Sequence, residues 1–464
     1  MNYSMIRYIL CNVLSFEGIF LLLPVIVAGV YSEDEIIIYI IVASASIFIG
    51  GIGRMKKPKS FVFYSREGFA AVSLSWIILS LVGALPMFLT GEFPTYVDAL
   101  FETISGFTTT GSSVLSDVEA LSRATAFWRC FTHWVGGMGV LVFILAIMPL
   151  SGGSNIHLMR AESPGPSVGK LVPKMRRTAM ILYGIYVLIT CIEIVALLIA
   201  GMPLFESMTL TFGTVGTGGF ALLNSSIGSY NMAVQIIITV FMIVCSINFN
   251  FYYFLLIRKP KEAFMNDEVK YFLIIVFTSA ILIAINIKDG FANILEAFQS
   301  AIFQVASIIS TTGFATTDFN KWPEFSKTIL VLLMFIGACA GSTGGGLKVS
   351  RLIILLKSMK NEIFSIVHPR SVQKIRINGR KLQSGVAKAV LCYLAIYVVV
   401  LIVSVILISL DNFDFTTNFT AVMATFNNIG PGLNVVGPTG NFGAYSDFSK
   451  IVLMFDTVSY THLR

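Results

Sequence analysis

Charge is what this 464-residue chain has least of: 12 % of its residues are charged and 56 % hydrophobic. With a mean hydropathy of +0.82, there is too little polar surface to clothe a water-soluble globule, which excludes that class of fold. Histidine is scarce as well. His133, His157, His368 and His462 share no zinc-type spacing, and no nucleophile–base–orienter set surrounds them, so hydrolytic and metal-dependent chemistry finds no support. Cys11, Cys130, Cys191, Cys245, Cys339 and Cys392 lie in or beside apolar segments. They form neither a metal spacing nor a disulfide framework and read as packing thiols. The net charge of +7 does not point to nucleic acid. Most Lys and Arg sit in short blocks between apolar runs, at 54–66, 160–177, 258–270 and 348–388, which is the signature of cytoplasmic loops and places the amino terminus inside.

What the chain has in abundance is apolar length. Runs at 180–200, 232–257, 271–287 and 387–410 approach the roughly 20 residues that cross a ~30 Å hydrocarbon core. The first run, 8–30, holds Glu17 and Pro24 and is followed by Ser32-Glu33-Asp34-Glu35 in place of a cleavage site, so it reads as a retained helix and not a signal peptide.

Between the basic blocks one pattern recurs four times: a spanning helix, a shorter apolar stretch, a Thr/Gly-rich segment, and a returning helix. The copies run 68–89, 96–107, 108–112 and 126–150; then 178–200, 204–212, 216–220 and 232–257; then 271–287, 294–309, 310–314 and 327–356; then 387–410, 419–426, 427–431 and a last run from 448. The prediction is an all-α polytopic membrane protein, with two amino-terminal helices (1–60) followed by four helix–pore-loop–helix repeats around a central pore. The repeats span 61–160, 161–262, 263–380 and 381–464. The third has a broken inner helix, and the last helix of the fourth reads as truncated.

The shorter stretches are about half a span long and read as re-entrant. Non-helical backbone at membrane depth is tolerated only where it lines a watery cavity or is buried in protein, so the Thr/Gly segments belong on the pore. They are Thr108-Thr109-Thr110-Gly111-Ser112, Gly216-Thr217-Gly218-Gly219-Phe220, Ser310-Thr311-Thr312-Gly313-Phe314 and Asn427-Asn428-Ile429-Gly430-Pro431. Each has glycine in fourth place, where positive φ lets successive carbonyls face one axis, and rings of carbonyls replace the hydration shell of potassium. Each half-helix also aims its carboxyl end, about half a negative charge, at that axis. No carboxylate lies inside any segment, which suits a large, weakly hydrated monovalent cation better than calcium or magnesium. The candidate ligands of the transported ion are Thr109, Thr110 and Gly111; Thr217, Gly218 and Gly219; Thr311, Thr312 and Gly313; and Asn428, Ile429 and Gly430. Any one segment alone is an ordinary Ser/Thr/Gly loop; four in register carry the reading.

A second feature interrupts the run 327–360. Gly341, Gly344, Gly345 and Gly346 each cost up to about 1 kcal/mol in a helix interior, so the helix is predicted to break there. A phosphate-cradling loop fails by one residue, because Leu347 stands where its lysine belongs and Val349 follows Lys348. Close glycine packing of helices is compatible with the break. Among ionisable residues in apolar segments, Glu17 and Glu193 lie in spanning helices. Glu102 and Glu296 lie in half-helices, where they either concentrate cations or brace the backbone. Asp98 reads as a helix-dipole partner, Tyr252 and Tyr253 as interfacial anchors, and Asn248 and Asn250 as packing groups or ion ligands.

The pieces Ile104-Ser105-Gly106-Phe107-Thr108-Thr109-Thr110-Gly111, Ser310–Phe314 as quoted, Phe426-Asn427-Asn428-Ile429-Gly430-Pro431-Gly432 and Gly341-Ser342-Thr343-Gly344-Gly345-Gly346-Leu347-Lys348 resemble the Trk/Ktr/HKT superfamily of potassium transporters, and within it the TrkH-type bacterial subunit. The resemblance covers nearly the whole chain. It implies a selectivity filter with its glycines at Gly111, Gly219, Gly313 and Gly430, where glycine rather than serine at 111 favours potassium over sodium. It implies a gating loop at 341–346 with Lys348, and a homodimer in the bacterial cytoplasmic membrane. A ring of nucleotide-binding regulatory subunits would dock on the basic region 348–381. Potassium, with rubidium or sodium as competitors, would be the transported ion, with no bound cofactor, no enzymatic activity and no nucleic-acid partner. The residues fit a passive channel and proton- or sodium-coupled symport alike. Residues 457–464 depart from the family pattern, and the arginine it places on the last inner helix has no match. A membrane scaffold or intramembrane enzyme with extracellular loops would need a catalytic set that is not there, and a carrier built on inverted repeats conflicts with the common orientation of all four copies.

Overall fold

The computed structural model describes residues 2–58, 65–137, 139, 175–368, 375–378, 380–382 and 385–463. Helices α1 (Tyr3–Phe20), α2 (Leu22–Tyr31) and α3 (Ile36–Met55) form the amino-terminal pair, with α1 packed along α3 and interrupted from α2 only at Leu21. The first repeat contributes α4 (Ser65–Leu89), α5 (Tyr96–Phe107) and α6 (Arg123–Gly137). The second contributes α7 (Met175–Ile199), α8 (Leu204–Val215), α9 (Met232–Ser246) and α10 (Phe249–Leu256), followed by the short α11 (Pro260–Phe264). In the third are α12 (Asp267–Ile287), α13 (Ile294–Ile309), α14 (Glu324–Ile336) and α15 (Val349–Val367); in the fourth, α16 (Val386–Ile408), α17 (Phe415–Phe426) and α18 (Asp447–Leu463). A two-residue antiparallel ladder, Arg376–Ile377 with Arg380–Lys381, joins α15 to α16.

The layering follows from composition. The spanning helices turn large apolar side chains outward, as α16 does with Leu391, Val399, Ile402 and Ile406, an arrangement suited to lipid rather than water. The half-length helices α5, α8, α13 and α17 are inside, and each begins at a predictable stop. Thr95, Asn293 and Asp414 accept the amides of Asp98, Glu296 and Thr417, and Pro203 precedes α8, all ordinary helix starts.

Two expectations need correction, and a third is only partly covered. The run 232–257 is not one span: α9 and α10 meet at a 92° bend. No glycine or proline causes it. Asn248 caps α10 by accepting the amide of Asn250, and the amide of Phe249 donates to the Gly341 carbonyl, so docked loop 337–348 supplies the bonds that a continuous helix would make. The half-helices of the second and fourth repeats are longer than 204–212 and 419–426, reaching Val215 and starting at Phe415. Of the inner helix expected at 126–150, α6 covers the part to Gly137; the remainder apart from Gly139, with His157 and most of the block 160–177, lies outside the described residues.

Candidate ion-binding ring and the loop beneath it

Each half-helix ends the same way. In α5 the amide of Thr109 reaches back to the Gly106 carbonyl at 3.0 Å and that of Thr110 to Ser105 at 2.8 Å. The equivalent pairs are Thr217 to Thr214 and Gly218 to Gly213, Thr311 to Ile308 and Thr312 to Ser307, and Asn428 to Thr425 and Ile429 to Ala424. This is the Schellman closure, whose first residue past the helix is left-handed. Thr109, Thr217, Thr311 and Asn428 have φ of 57°, 56°, 61° and 56°, a conformation costing a non-glycine residue roughly 1–2 kcal/mol. Two residues on, Gly111, Gly219, Gly313 and Gly430 have φ of 80°, 80°, 86° and 95°. The amides of positions one to three are thus spent on the helix behind them, and the carbonyls face away from it.

The four loops then close on one another. A Cβ placed on Gly111 would lie 1.9 Å from the Gly218 carbonyl oxygen, one on Gly219 1.9 Å from that of Thr312, one on Gly313 2.1 Å from that of Ile429, and one on Gly430 3.0 Å from that of Thr110. Every fourth-place glycine therefore abuts the third-place carbonyl of the next segment, in the order one, two, three, four and back to one. Only glycine permits that approach. All twelve expected ligand residues fall in this ring, with the second and fourth segments in the same backbone register as the others.

Around the ring stand side chains whose roles the sequence left open or did not show. Glu102, fully buried, accepts from Arg129 Nε at 2.5 Å, Ser113 Oγ at 2.9 Å and the amide of Val114 at 3.1 Å. It is a brace, not a cation funnel. The Arg129 guanidinium lies 3.6 Å over the Phe220 ring and donates to the Ala221 carbonyl. Asp98 does more than face a helix dipole: its carboxylate pairs with Lys450 Nζ at 2.6 Å, joining α5 to α18 with both groups buried. Glu17 and Glu193 are buried on α1 and α7. Glu296 lines a crevice of about 410 Å³ with Gln235, Gln299 and Thr316, beside the amino end of α13. An arginine in the middle of an aromatic helix was the available signal for Arg129; nothing in the sequence linked Asp98 to Lys450.

Removing one partner of a buried pair strands the other charge at about 3–5 kcal/mol. Lys450→Met is therefore expected to lower the Tm of the detergent-solubilised protein clearly, and Asp98→Asn added to it to recover part of the loss. An unchanged Tm in Lys450→Met would dismiss the pair as a clamp between the first and fourth repeats.

Loop 337–348 lies directly against the ring. The Gly345 amide donates to Thr311 Oγ1 at 2.5 Å, and a Cβ on Gly344 or Gly345 would meet the carbonyls of Ser310 or Asn427 at 2.6 and 2.2 Å. Lys348, buried and with φ of 78°, donates from Nζ to the Gly344 carbonyl. Two outside holds fix the loop. The bend between α9 and α10 takes Cys339 N on Ser246 O and Thr343 Oγ1 on Cys245 O. Glu268, at the start of α12, accepts Ala340 N at 2.7 Å and Ser350 N at 2.9 Å on the same oxygen. Its neighbour Asp267 accepts the amide of Asn378 at 2.9 Å and donates its own to Asn378 Oδ1 at 2.7 Å, in the turn of the surface ladder. Asn248 packs beside Gly341 and acts as a cap in this arrangement.

The model of a family described as TrkH, cation transport protein, matches residues 36–458. The chain is 36 % identical to the Trk system potassium uptake protein TrkH of Salmonella typhimurium, over 95 % of this chain and 92 % of that protein. It is 38 % identical to the protein of the same name from Escherichia coli strain K12, over 84 % and 82 %. Its fold is similar to the crystal structure of the potassium transporter TrkH from Vibrio parahaemolyticus, with a TM-score of 0.89 at 30 % identity, covering 100 % of this chain and 97 % of that one.

Proposed function

Because the chain belongs to the TrkH family of cation transport proteins, a family of membrane transporters and not of enzymes, we propose that it takes up potassium across the bacterial cytoplasmic membrane through a gated, channel-like pore. The observation that carries this reading is the closed cycle of third-place carbonyls against fourth-place glycines. Such a ring offers a bare monovalent cation neutral oxygen dipoles in place of water. The carboxyl ends of four half-helices add a negative potential at the same point without a fixed carboxylate. Thr109 to Gly111, Thr217 to Gly219, Thr311 to Gly313 and Asn428 to Gly430 are the ligands in this reading.

Loop 337–348 is the gate. It sets the backbone of Gly344 and Gly345 against the first-place carbonyls of the third and fourth segments, with the Lys348 ammonium on the Gly344 carbonyl, and a positive charge there opposes passage of another. Opening requires the loop to leave Thr311 and its two outside holds. The basic surface near Lys357 and the ladder is the docking face for a cytosolic nucleotide-binding ring, and the protein works as a homodimer.

The test is rubidium uptake by potassium-uptake-deficient bacteria expressing the chain, with Gly111→Ser alongside. Uptake is expected from the chain, and Gly111→Ser is expected to admit more sodium or lose its preference for potassium. If neither the chain nor a version with an extended last helix takes up rubidium while present in the membrane, the transport reading is wrong.

A further inference from the structure

We infer that His133 is a positioning residue for the second filter segment, standing in for side chains which that segment lacks and thereby setting ion preference; the inference rests on the filter reading above. The four segments differ in how their first and third places are held. In the first, Thr108 Oγ1 and Thr110 Oγ1 share a hydrogen bond at 2.8 Å, and in the third Ser310 Oγ and Thr312 Oγ1 do so at 2.7 Å. The fourth segment ties Asn427 to Tyr397, whose hydroxyl accepts from Asn427 Nδ2 at 2.8 Å. The second segment has glycine in both places, Gly216 and Gly218, and has no side chain with which to make such a bond.

The imidazole of His133, reaching in from α6, occupies that space. A Cβ on Gly218 would fall 2.1 Å from its Nδ1 and 2.2 Å from its Cγ. The ring is fully buried. Its Nδ1 lies 2.8 Å from the Gly106 carbonyl at the end of α5, and the amide of Phe220, the last residue of the second segment, donates to Nε2 at 3.2 Å. A carbonyl only accepts and an amide only donates, so these partners fix the neutral tautomer with its proton on Nδ1. The Phe220 ring lies 4.2 Å from the imidazole, with Arg129 on it as well. One side chain thus spans the end of the first half-helix and the exit of the second segment. The carbonyl it backs, Gly218 O, is the one against which Gly111 closes. The second segment is braced from a neighbouring repeat, whereas the first and third brace themselves.

The role predicts a swap. Gly218→Thr alone collides with the imidazole and is expected to abolish rubidium uptake. His133→Ala leaves the segment unbraced and is expected to lose about tenfold in rubidium preference over sodium, the order of effect of one lost hydrogen bond to a weighing site, while still reaching the membrane. His133→Ala with Gly218→Thr fills the vacated space with a third-place threonine, which here has no first-place hydroxyl to pair with, and is expected to recover part of the preference. Gly216 stays glycine, because its Cβ would meet the backbone oxygen of residue 133 at 2.4 Å. The measurement is sodium competition of rubidium uptake, normalised to protein in the membrane. Unchanged preference in His133→Ala, or a double variant no better than His133→Ala, overturns the inference. If His133→Ala fails to reach the membrane, the double variant decides: selective uptake supports the role and absence from the membrane overturns it. A shift in Gly111→Ser with none in His133→Ala would discard the inference and leave the filter reading standing; no shift in either would discard both.

Discussion

Gly219→Ala is expected to reduce rubidium uptake by about 100-fold or more with the protein still in the membrane. Two costs act together. At φ of 80° an alanine pays roughly 1–2 kcal/mol for the left-handed conformation. Its Cβ also lands 1.9 Å from the Thr312 carbonyl oxygen, an overpacking of the kind that costs about 1–3 kcal/mol even in a core free to relax. Neither atom can retreat cheaply, because the oxygen is backbone and the Cβ is fixed rigidly to backbone in a closed ring, so the error spreads to the next segment. Two comparisons isolate the cause. Gly430→Ala, at 3.0 Å from the Thr110 carbonyl oxygen, should be milder, and Gly201→Ala, with φ of 90° and nothing within 4 Å, should transport normally at some loss of stability. Near-normal uptake by Gly219→Ala would mean that the ring is not the ion path.

Glu268→Ala should raise basal flux. The carboxylate ties Ala340 in loop 337–348 to Ser350 in the first turn of α15, and deleting it leaves the buried amides of both without an acceptor, at about 1–3 kcal/mol each. A displaced loop can hydrate those amides and the seated one cannot, so the penalty falls on the closed state and shifts the equilibrium by roughly 30-fold or more towards opening. Glu268→Gln is the informative control: both bonds end on one oxygen, which glutamine retains, so its flux should stay near normal. Liposomes holding each variant, assayed for rubidium efflux, give the comparison. Equal basal flux in the Ala variant, with unaltered hydrogen-exchange protection of 337–348, would remove Glu268 from the gate.

Much of this architecture was legible because it rests on local rules. The half-helices at 96–107 and 294–309 coincide with α5 and α13, since their length and caps are written in adjacent residues. The glycines of 341–346 announced a helix break, and fourth-place glycine announced positive φ. What escaped depends on contacts between distant segments. Threonine is a poor left-handed residue, so Thr109, Thr217 and Thr311 gave no hint of their φ; the Schellman bonds and the neighbouring loops impose it. The bend at 247–248 has no glycine or proline to announce it, and besides the Asn248 cap its bonds come from the distant loop 337–348. His133 looked like an isolated histidine because its partners, Gly106 and Phe220, come from two repeats. Asp98 and Lys450 meet only when the fourth repeat folds back on the first.

The first two residues of α12 are held by two different structures. Asp267 grips the turn at Asn378 on the surface, and Glu268 grips Ala340 of the buried loop and Ser350 just past it. The stem between these attachments is a single peptide unit, too short and too stiff to absorb displacement. A tug on the ladder would therefore arrive at the loop as a tilt of the α12 amino end, much as a latch follows its handle. In mechanical terms the amino end of α12 is a coupling pin, because the surface ladder and the buried loop hang on adjacent residues of one helix.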